Sequence, residues 1–494
     1  MKLIPTLPSA PMALAVATGA VGVLAASAVA PNYLTSVGFA IIPIGLLAFL
    51  GLIGLFVIPV HALPSIGLVI FSLLPARILP QEGPLAALPI ATIVLAIWAL
   101  RRLLRMHPAL TASPPSVSGS SVSGSSGLAL AARISGVGFV LWSVFVLSRS
   151  VHLQTSAGWL ISFIAGAILP LLITDAKAEA RLLRQTWLML GAVLGCYALG
   201  EALLGSNPVW GRLYVALGVV DSQHWSVYRA EASFGHPLIA ALFFAVTGVL
   251  AITQWLTNRS RWPLAAAVIS GLALIVTVSR GPLLASAGAI GLAYIAVIAL
   301  RGSKRWSRVA LVAVIGAAGV GFLLSNDAFQ ERNSSTEAAV SSQARDVGIW
   351  VAVQAAKAPD WLGTGPGTSG ITGRLFDSVV IENSLLQLLI SVGIPGVVLF
   401  LGMIGFAVLA ALRRRDVAAG AALVVFTACI TSFNAIDALR PVHLLLGCLL
   451  IVTLNENLDT ENVHAISSSA DRKHGSASKA VQARRMPPPK AFFP

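Results

Sequence analysis

The fold is decided by residues 237–300, which read PLIAALFFAVTGVLAITQWLT, then NRS, then RWPLAAAVISGLALIVTVSR, then GPLLASAGAIGLAYIAVIAL. Each of the three apolar runs is close to the roughly 20 residues that cross about 30 Å of hydrocarbon as a helix. A helix satisfies its own backbone hydrogen bonds in lipid, so such runs predict membrane-spanning helices. Because the runs are continuously apolar rather than alternating, they exclude a porin-like barrel.

The same pattern extends over most of the 494 residues, of which 56% are hydrophobic and 11% charged. Soluble globular domains carry roughly 25% charged residues. We therefore predict an all-α integral membrane protein with about fourteen transmembrane helices and no sizeable soluble catalytic domain. The predicted spans are residues 12–30, 38–58, 62–78, 84–101, 128–147, 157–174, 187–204, 237–257, 263–280, 282–300, 309–325, 380–411, 417–434 and 441–454.

Basic clusters predict the orientation of these spans. Arginines and lysines follow the fourth, sixth, eighth, tenth and twelfth spans, and further ones lie in the C-terminal tail. Positive residues hold loops on the cytoplasmic side, and all these segments share one side if the N-terminus is inside. We predict cytoplasmic N- and C-termini in the plasma (inner) membrane, and long extracytoplasmic loops at about 205–236 and 326–379. The net charge of +14 then reflects topology rather than nucleic-acid binding.

Composition divides the chain into four parts. Residues 1–110 hold the N-terminal helices; the first resembles a signal peptide ending at Ala28-Val29-Ala30, although its long apolar run favours a retained helix. Residues 111–127 form a Ser/Gly/Pro-rich linker, predicted to be cytoplasmic. Residues 128–454 form the main transmembrane domain. Residues 455–494 are basic and polar, which predicts a disordered cytoplasmic tail.

Several ionisable residues lie at the predicted outer ends of spans. Arg280 occupies the tight turn between the ninth and tenth spans, where it either snorkels to the surface or binds an anion through its fork of donors. Arg229 and His236 precede Pro237, at the entry to the eighth span. They are either solvated loop residues or a pair that binds an anion and exchanges a proton.

A second group lies in and after the long loop at 326–379. It contains Arg345, a Gly363-Thr-Gly-Pro-Gly segment and Glu382-Asn383 at the opening of the twelfth span. The glycines form either an ordinary turn or a close approach of backbone to a ligand. Glu382 is either a helix N-terminal acid favoured by the dipole or a general base. Asn434, Asp437 and Arg440 lie between the last two spans.

In their order and spacing these stretches resemble the O-antigen ligase/polymerase superfamily, over about residues 130–450. Three stretches carry the resemblance: residues 229–237, residues 279–282, and the loop from Gln343 through Trp350 and residues 363–367 to 382–387 and 393–396. Members are bacterial envelope enzymes that transfer saccharides from polyprenyl-diphosphate carriers. Ligases of this family usually carry a His where this chain has Glu382, which argues against lipopolysaccharide ligation in particular.

The resemblance implies a metal-independent, cofactor-free inverting glycosyltransferase, either a polymerase or a ligase, with its active site on the extracytoplasmic side. Its partners would be a polyprenyl-diphosphate-linked saccharide, a saccharide or lipid acceptor, membrane lipids and other envelope assembly proteins. Arg229, Arg280 and Arg345 would bind the diphosphate, and Glu382, or failing that His236, would act as base. The acceptor or the loop would be positioned by Gly363, Gly365, Gly367 and Asn383. The chain shows no metal-binding motif and no dinucleotide fingerprint.

Two other functions fit a protein with many spans. A transporter or flippase would share the topology, but transporters usually place ionisable groups near the membrane midplane and show internal repeats, and neither is evident here. A non-catalytic scaffold would tolerate substitution of the arginines and of Glu382. We expect an enzyme.

Overall fold

The computed structural model describes residues 58–78, 88–105, 123–217, 219, 227–257, 260–301, 336–378 and 380–455. These residues are helices joined by turns, with no strand among them. The predicted spans at 12–30, 38–58 and 309–325 and the tail at 455–494 lie outside the described residues, apart from single end residues. Each of the remaining predicted spans falls on a described helix.

The helices are numbered in chain order. They are α1 (Leu63–Leu73), α2 (Ile90–Arg105), α3 (Ser123–Ser148), α4 (Leu153–Leu172, with a π-helical segment at Ile164–Ile168), α5 (Lys177–Leu204), α6 (Trp210–Ala216), α7 (Pro237–Thr257), α8 (Arg261–Val276), α9 (Arg280–Arg301), α10 (Thr336–Lys357), α11 (Ser369–Gly373), α12 (Ser384–Arg413), α13 (Val417–Ile430) and α14 (Val442–Asn455).

Six of these helices are long and apolar enough to cross a bilayer: α3, α4, α5, α7, α9 and α12. Helices α1, α8, α13 and α14 are shorter apolar helices. The charge-poor composition and these helices together make the chain a multi-pass helical membrane protein. Which face points to the cytoplasm stays a prediction from the basic clusters.

Helix α14 forms the centre of the bundle, since all its residues from Val442 to Asn455 are buried. It packs against α4, α5 and α13, while α3 packs along α12 and α7 packs between α8 and α13. Close approach of α4 and α14 depends on Gly447, where a Cβ atom would clash with the carbonyl of Gly166. Small residues at such crossings let helix backbones approach in membranes.

Ion pairs join helix ends that the sequence predicts to share the cytoplasmic side. Arg102 at the end of α2 pairs with buried Glu179 at the start of α5, with Nη2 2.5 Å from Oε1. Arg184 of α5 pairs with Asp416 before α13, with Nη2 2.6 Å from Oδ2. A charge partner offsets the desolvation of buried Glu179, and the two pairs join α2, α5 and α13 at one end of the bundle.

Helix α12 is broken at Gly393, whose φ of 68° and ψ of −176° are not helical. Pro395 follows and lacks the N–H that would bond to residue 391. A proline inside a long helix usually produces a kink, and here the structure shows a full break. It separates a short first segment, residues 384–392, from a membrane-length segment, residues 394–413.

The predicted loops and linker contain helices that hydropathy did not indicate. Helix α10 occupies the centre of the predicted loop 326–379, and α6 lies within 205–236. Helix α10 is less apolar than the predicted spans, and Val347, Val351 and Ala355, spaced four residues apart, pack on α12. Helix α3 begins at Ser123, inside the predicted linker 111–127.

Candidate functional site

Arg229 ties the segment before α7 to the turn before α9. Its side chain is buried, with Nε donating to the carbonyl of Thr277 at 3.0 Å and Nη2 donating to Oγ of Ser279 at 2.9 Å. Arg280 follows as the first residue of α9, with an exposed side chain. Two of the predicted diphosphate-binding arginines are thus held beside each other, one as a buried fixed charge and the other directed to the surface.

His236 has a fixed tautomer. Its Nδ1 accepts a hydrogen bond of 3.1 Å from the backbone N–H of Leu238, so the proton of the neutral ring is on Nε2. Burial, with smaller effects of the Arg229 and Arg77 charges, lowers the pKa of His236 to about 4. The ring is therefore neutral near pH 7 and presents an Nε2–H donor, which suits a hydrogen bond to an oxyanion better than proton abstraction.

Glu201, at the end of α5, organises the segment that carries Arg229. Its carboxylate is fully buried and accepts from the backbone N–H groups of Glu231 at 2.9 Å and Ala232 at 2.8 Å, and from Tyr228 Oη at 2.8 Å. Burial, and to a smaller extent the charge of Glu201, raises the pKa of the Tyr228 hydroxyl. Glu201 was not among the residues predicted from the sequence, although a lone acid in an apolar run is itself a signal of function or buried structure.

The N-terminal helices also reach this region. Arg77, in a short 3₁₀ turn after α1, lies 3.9 Å from Glu231 through Nη1 and Oε2 and stacks over the ring of Tyr214 at 5.9 Å. Its positive charge also acts on His236. No role at the site was predicted for residues 1–110, whereas Arg77 adds a positive charge beside Arg229 and His236.

Arg345 of α10 and Glu382 before α12 form an ion pair. Arg345 Nε lies 3.4 Å from Glu382 Oε2, and the two side chains are 58% and 34% exposed. The pair is held because α10 packs against α12 through Val351 and Ile390. A residue predicted to bind phosphate and a residue predicted to act as base are therefore in contact at a site that water or a ligand can reach.

Asn383 caps the helix that follows Glu382. Its side-chain oxygen accepts from the backbone N–H groups of Leu385 at 2.9 Å and Leu386 at 3.2 Å. This N-cap satisfies two of the four unpaired donors at the start of α12. Its observed contacts give Asn383 the role of fixing the direction of the chain at Glu382.

The glycine segment, residues 363–367, forms hydrogen bonds with the backbone of α12 just before its break. Backbone N–H groups of Thr364 and Gly365 donate to the carbonyls of Ile390 at 2.9 Å and Ser391 at 3.0 Å. Irregular backbone at membrane depth is stable only when such groups find partners within the protein. A Cβ atom at Gly363, whose φ is +100°, would lie 2.7 Å from the carbonyl oxygen of Ser391. In these contacts Gly363 and Gly365 support the start of α12.

Asp437 joins the glycine segment to the turn between α13 and α14. Its buried carboxylate accepts from the N–H of Gly367 at 3.1 Å, from the N–H and hydroxyl of Ser369, and from the hydroxyl of Ser391 at 2.9 Å. Burial raises the pKa of Asp437 to about 6 in spite of these hydrogen bonds. The sequence singled out Asp437 but assigned it no role.

The turn at residues 431–441 connects the parts of the site. A Cβ atom on Gly281 would lie 2.5 Å from Ser432, so the turn is packed beside Arg280. The carbonyl of Phe433 accepts a hydrogen bond of 2.9 Å from Oγ of Ser384. Ser384 is two residues after Glu382. Arg280 and Glu382 are therefore each within two residues of a contact with one turn, which also contains Asp437.

The His236 segment approaches the same turn. Phe234 and Leu439 line an apolar cavity of about 20 Å³, together with Phe71 of α1. This volume corresponds to about one water molecule. The cavity marks where α1, the start of α7 and the turn at 431–441 pack together. The segments that carry His236, Arg280, Glu382 and the glycine segment thus contact this turn, whereas α10 packs on α12.

Part of the chain matches a known family. Residues 265–401 match the family model described as O-antigen ligase. This match confirms the resemblance to the O-antigen ligase/polymerase superfamily. The O-antigen ligase segment contains Arg280, Arg345, the glycine segment and Glu382, whereas Arg229, His236, Glu201 and Asp437 lie outside it. No curated protein matches the chain.

Proposed function

We propose that the protein is a membrane glycosyltransferase that transfers or polymerises a saccharide from a polyprenyl-diphosphate carrier onto an acceptor hydroxyl. The reaction would occur at the extracytoplasmic face, in the biosynthesis of a surface polysaccharide or glycoconjugate. The observation that supports this most is the Arg345–Glu382 ion pair, because it lies within the O-antigen ligase segment and combines a phosphate ligand with a proton acceptor.

Arginine side chains would hold the diphosphate. Guanidinium groups match phosphate oxygens with paired donors. Arg280 is exposed at the first residue of α9, where the helix dipole also favours a negative ligand. Buried Arg229 adds a positive charge that is fixed by its hydrogen bonds to Thr277 and Ser279. Fixed charges of this kind stabilise a leaving group as its negative charge grows.

Glu382 would be the general base. In the resting pair its carboxylate contacts Arg345; an incoming diphosphate would compete for that guanidinium and leave the carboxylate facing the acceptor. His236 is less suited to the role, because its Nδ1 already accepts from Leu238. Its Nε2–H would instead donate to a phosphate oxygen.

The transfer step would be one in-line displacement. The acceptor oxygen forms a bond to the anomeric carbon while the bond from that carbon to the diphosphate oxygen breaks. The hydroxyl proton passes to Glu382, and the electron pair of the broken bond leaves with the polyprenyl diphosphate, next to Arg280 and Arg345. Such a displacement inverts the anomeric centre.

A cellular experiment tests this function. Cells lacking the protein would be complemented with wild type, with Glu382→Gln or with Asp360→Asn. Asp360 is an exposed acid after α10 whose backbone is left-handed, with φ of 54°, a conformation that Asn also tolerates. We expect lipid-linked saccharide to accumulate and polysaccharide to be lost, and both to be restored by wild type and Asp360→Asn but not by Glu382→Gln.

Two results would contradict the proposal. Restoration by Glu382→Gln at matched expression would remove Glu382 as the base. Accumulation of lipid-linked saccharide only in the cytoplasmic leaflet would indicate a flippase instead of a transferase.

A further inference from the structure

Five large apolar side chains are exposed around the Arg345–Glu382 pair. They are Ile349, Trp350, Leu375, Phe376 and Val380, with exposures between 40% and 79%. Single exposed apolar residues are ordinary, but a cluster rimmed by polar residues marks an interaction surface. We call these five residues the apolar patch.

The patch is one surface because its members are close in sequence to residues that contact Ile381. Gly348 is next to Ile349, and a Cβ atom added to Gly348 would lie 3.9 Å from the Cα of Ile381. Gly373, two residues before Leu375, approaches the Ile381 side chain, with 3.2 Å to its built Cβ. Ile381 itself is buried between Val380 and Glu382. The apolar patch therefore surrounds Ile381 and borders the ion pair.

The break in α12 fixes the depth of this surface. Residues 394–413 match the roughly 20 residues that cross about 30 Å of hydrocarbon, and they end at the basic cluster of Arg413. When this segment spans the hydrocarbon, residues 384–392 extend into the headgroup layer. Helix α10 packs against those residues through Val351 and Ile390, so the patch lies at headgroup level as well.

The membrane-length segment of α12 also begins with exposed apolar residues. Ile394 and Val398, one helical turn apart on α12, are exposed by 47% and 62%, and membrane lipid is the natural cover for apolar residues on a spanning helix. Ile394 follows by four residues Ile390, which packs against α10. Trp350 adds an aromatic residue of the type that accumulates at membrane interfaces.

We propose that the apolar patch inserts into the interfacial layer of the membrane leaflet that faces the candidate site. Helix α10 and the turn after α11 are then anchored to lipid rather than projecting into water. This places the Arg345–Glu382 pair at the depth of lipid phosphates. The benefit for a lipid-linked donor rests on the proposed function, whereas the lipid contact itself does not.

Spin labelling of the full chain in vesicles of phosphatidylethanolamine and phosphatidylglycerol tests this proposal without any activity assay. The background is Cys196→Ala, because Cys196 is exposed while Cys429 and Cys448 are buried. Nitroxides are attached at Ile349→Cys and Leu375→Cys, with Lys357→Cys, an exposed position at the end of α10, as the reference for contact with water.

We expect the labels at 349 and 375 to collide more with oxygen, relative to a water-soluble nickel chelate, than the label at 357 does. An equal ratio at all three positions would overturn the proposal. Dipolar broadening between labels on two copies would overturn it in favour of self-association through the patch. Loss of polysaccharide synthesis has no bearing on these ratios, so failure of the lipid contact and failure of the proposed function are separable.

A second measurement needs no cysteine. Brominated phospholipids should quench less of the tryptophan emission in Trp350→Phe than in wild type, while quenching by iodide in water should change little. Unchanged quenching by brominated lipid together with reduced quenching by iodide would show that Trp350 faces water and would contradict the proposal.

Discussion

The guanidinium of Arg345 lies 3.4 Å from the carboxylate of Glu382, although the rest of α10, the glycine segment and the short helix α11 separate the two residues in sequence. The contact joins a side chain suited to bind phosphate to one suited to accept a proton. A ligand that draws Arg345 away from Glu382 would therefore also prepare the base. In the proposed mechanism this pair would couple substrate binding to proton transfer.

The coupling predicts how Arg345 variants behave. Arg345→Ala should lower kcat/KM for the lipid-linked donor by roughly 10- to 100-fold, through loss of transition-state charge stabilisation. Arg345→Lys should recover part of that loss, since it restores the charge but not the fork of donors. The matched control is Arg374→Ala, which alters another exposed arginine of the same loop.

Because the two residues are in contact, their substitutions should not be additive. Arg345→Ala combined with Glu382→Gln should lose less activity than the product of the two single losses. Multiplicative losses in the double variant would show that Arg345 and Glu382 act independently.

The buried carboxylate of Glu201 leads to a second prediction, outside the O-antigen ligase segment. Glu201→Ala removes the acceptor of two backbone N–H groups, one of them buried, and of the Tyr228 hydroxyl; leaving a buried donor unpaired costs roughly 1–3 kcal/mol. We expect a lower melting temperature in detergent and lost activity, because residues 228–232 hold Arg229. Arg212→Ala, at an exposed position on α6, serves as the control. Wild-type stability of Glu201→Ala would contradict the account of this segment.

The packing of the glycine segment against the α12 break predicts that two glycines differ in their tolerance of substitution. Gly363→Ala places a Cβ against the carbonyl of Ser391 in a left-handed backbone, whereas Gly370→Ala on α11 meets nothing within 4 Å. Strain at such a position costs roughly 1–3 kcal/mol. We expect Gly363→Ala to lower the melting temperature and activity while Gly370→Ala leaves both near wild type. Equal melting temperatures in the two variants would show that the glycine segment does not stabilise the break in α12.

Asp437 and His236 predict opposite pH dependences of stability. The pKa of Asp437 is raised to about 6 in the folded protein. Its contribution to the free energy of unfolding is therefore complete below the pKa of about 3.9 in the unfolded chain, and is lost as pH rises through about 6. That loss is about 3 kcal/mol. The pKa of His236 is lowered to about 4, so its contribution is present above about 6.5 and is lost as pH falls toward 4.

In wild type the two slopes oppose each other between about pH 4 and 6. Asp437→Asn should leave a melting temperature that rises with pH over this range, and His236→Gln should leave one that falls. Melting curves in detergent from about pH 4 to 7 measure both variants and wild type. Identical slopes in all three proteins would show that neither group titrates as described.

Hydropathy predicted the helices because a run of about 20 apolar residues has few other stable states in lipid. It could not predict the helix α10, which carries charges such as Arg345 and Asp346 and draws its stability from contacts with α12. Its alanine-rich sequence, with Val347 and Val351 four residues apart, was the available signal.

The site residues divide in the same way. Arg229, Arg280 and Glu382 could be singled out because each stands at the end of an apolar run. Glu201 and Asp437 could not be assigned roles, because their partners lie 27 to 31 and 46 to 70 residues away in sequence. Contacts over such separations depend on how the helices pack, which local pattern does not reveal.

The most direct test of the proposed transferase uses purified protein in proteoliposomes with a polyprenyl-diphosphate oligosaccharide as donor, and measures the released polyprenyl diphosphate together with the extended or conjugated saccharide. We predict stoichiometric formation of both by wild type, with no added cofactor, and a loss of roughly 100-fold or more in Arg280→Ala but not in Arg374→Ala. Equal rates in wild type and Arg280→Ala, or movement of the donor across the bilayer with no new glycosidic bond, would contradict the account.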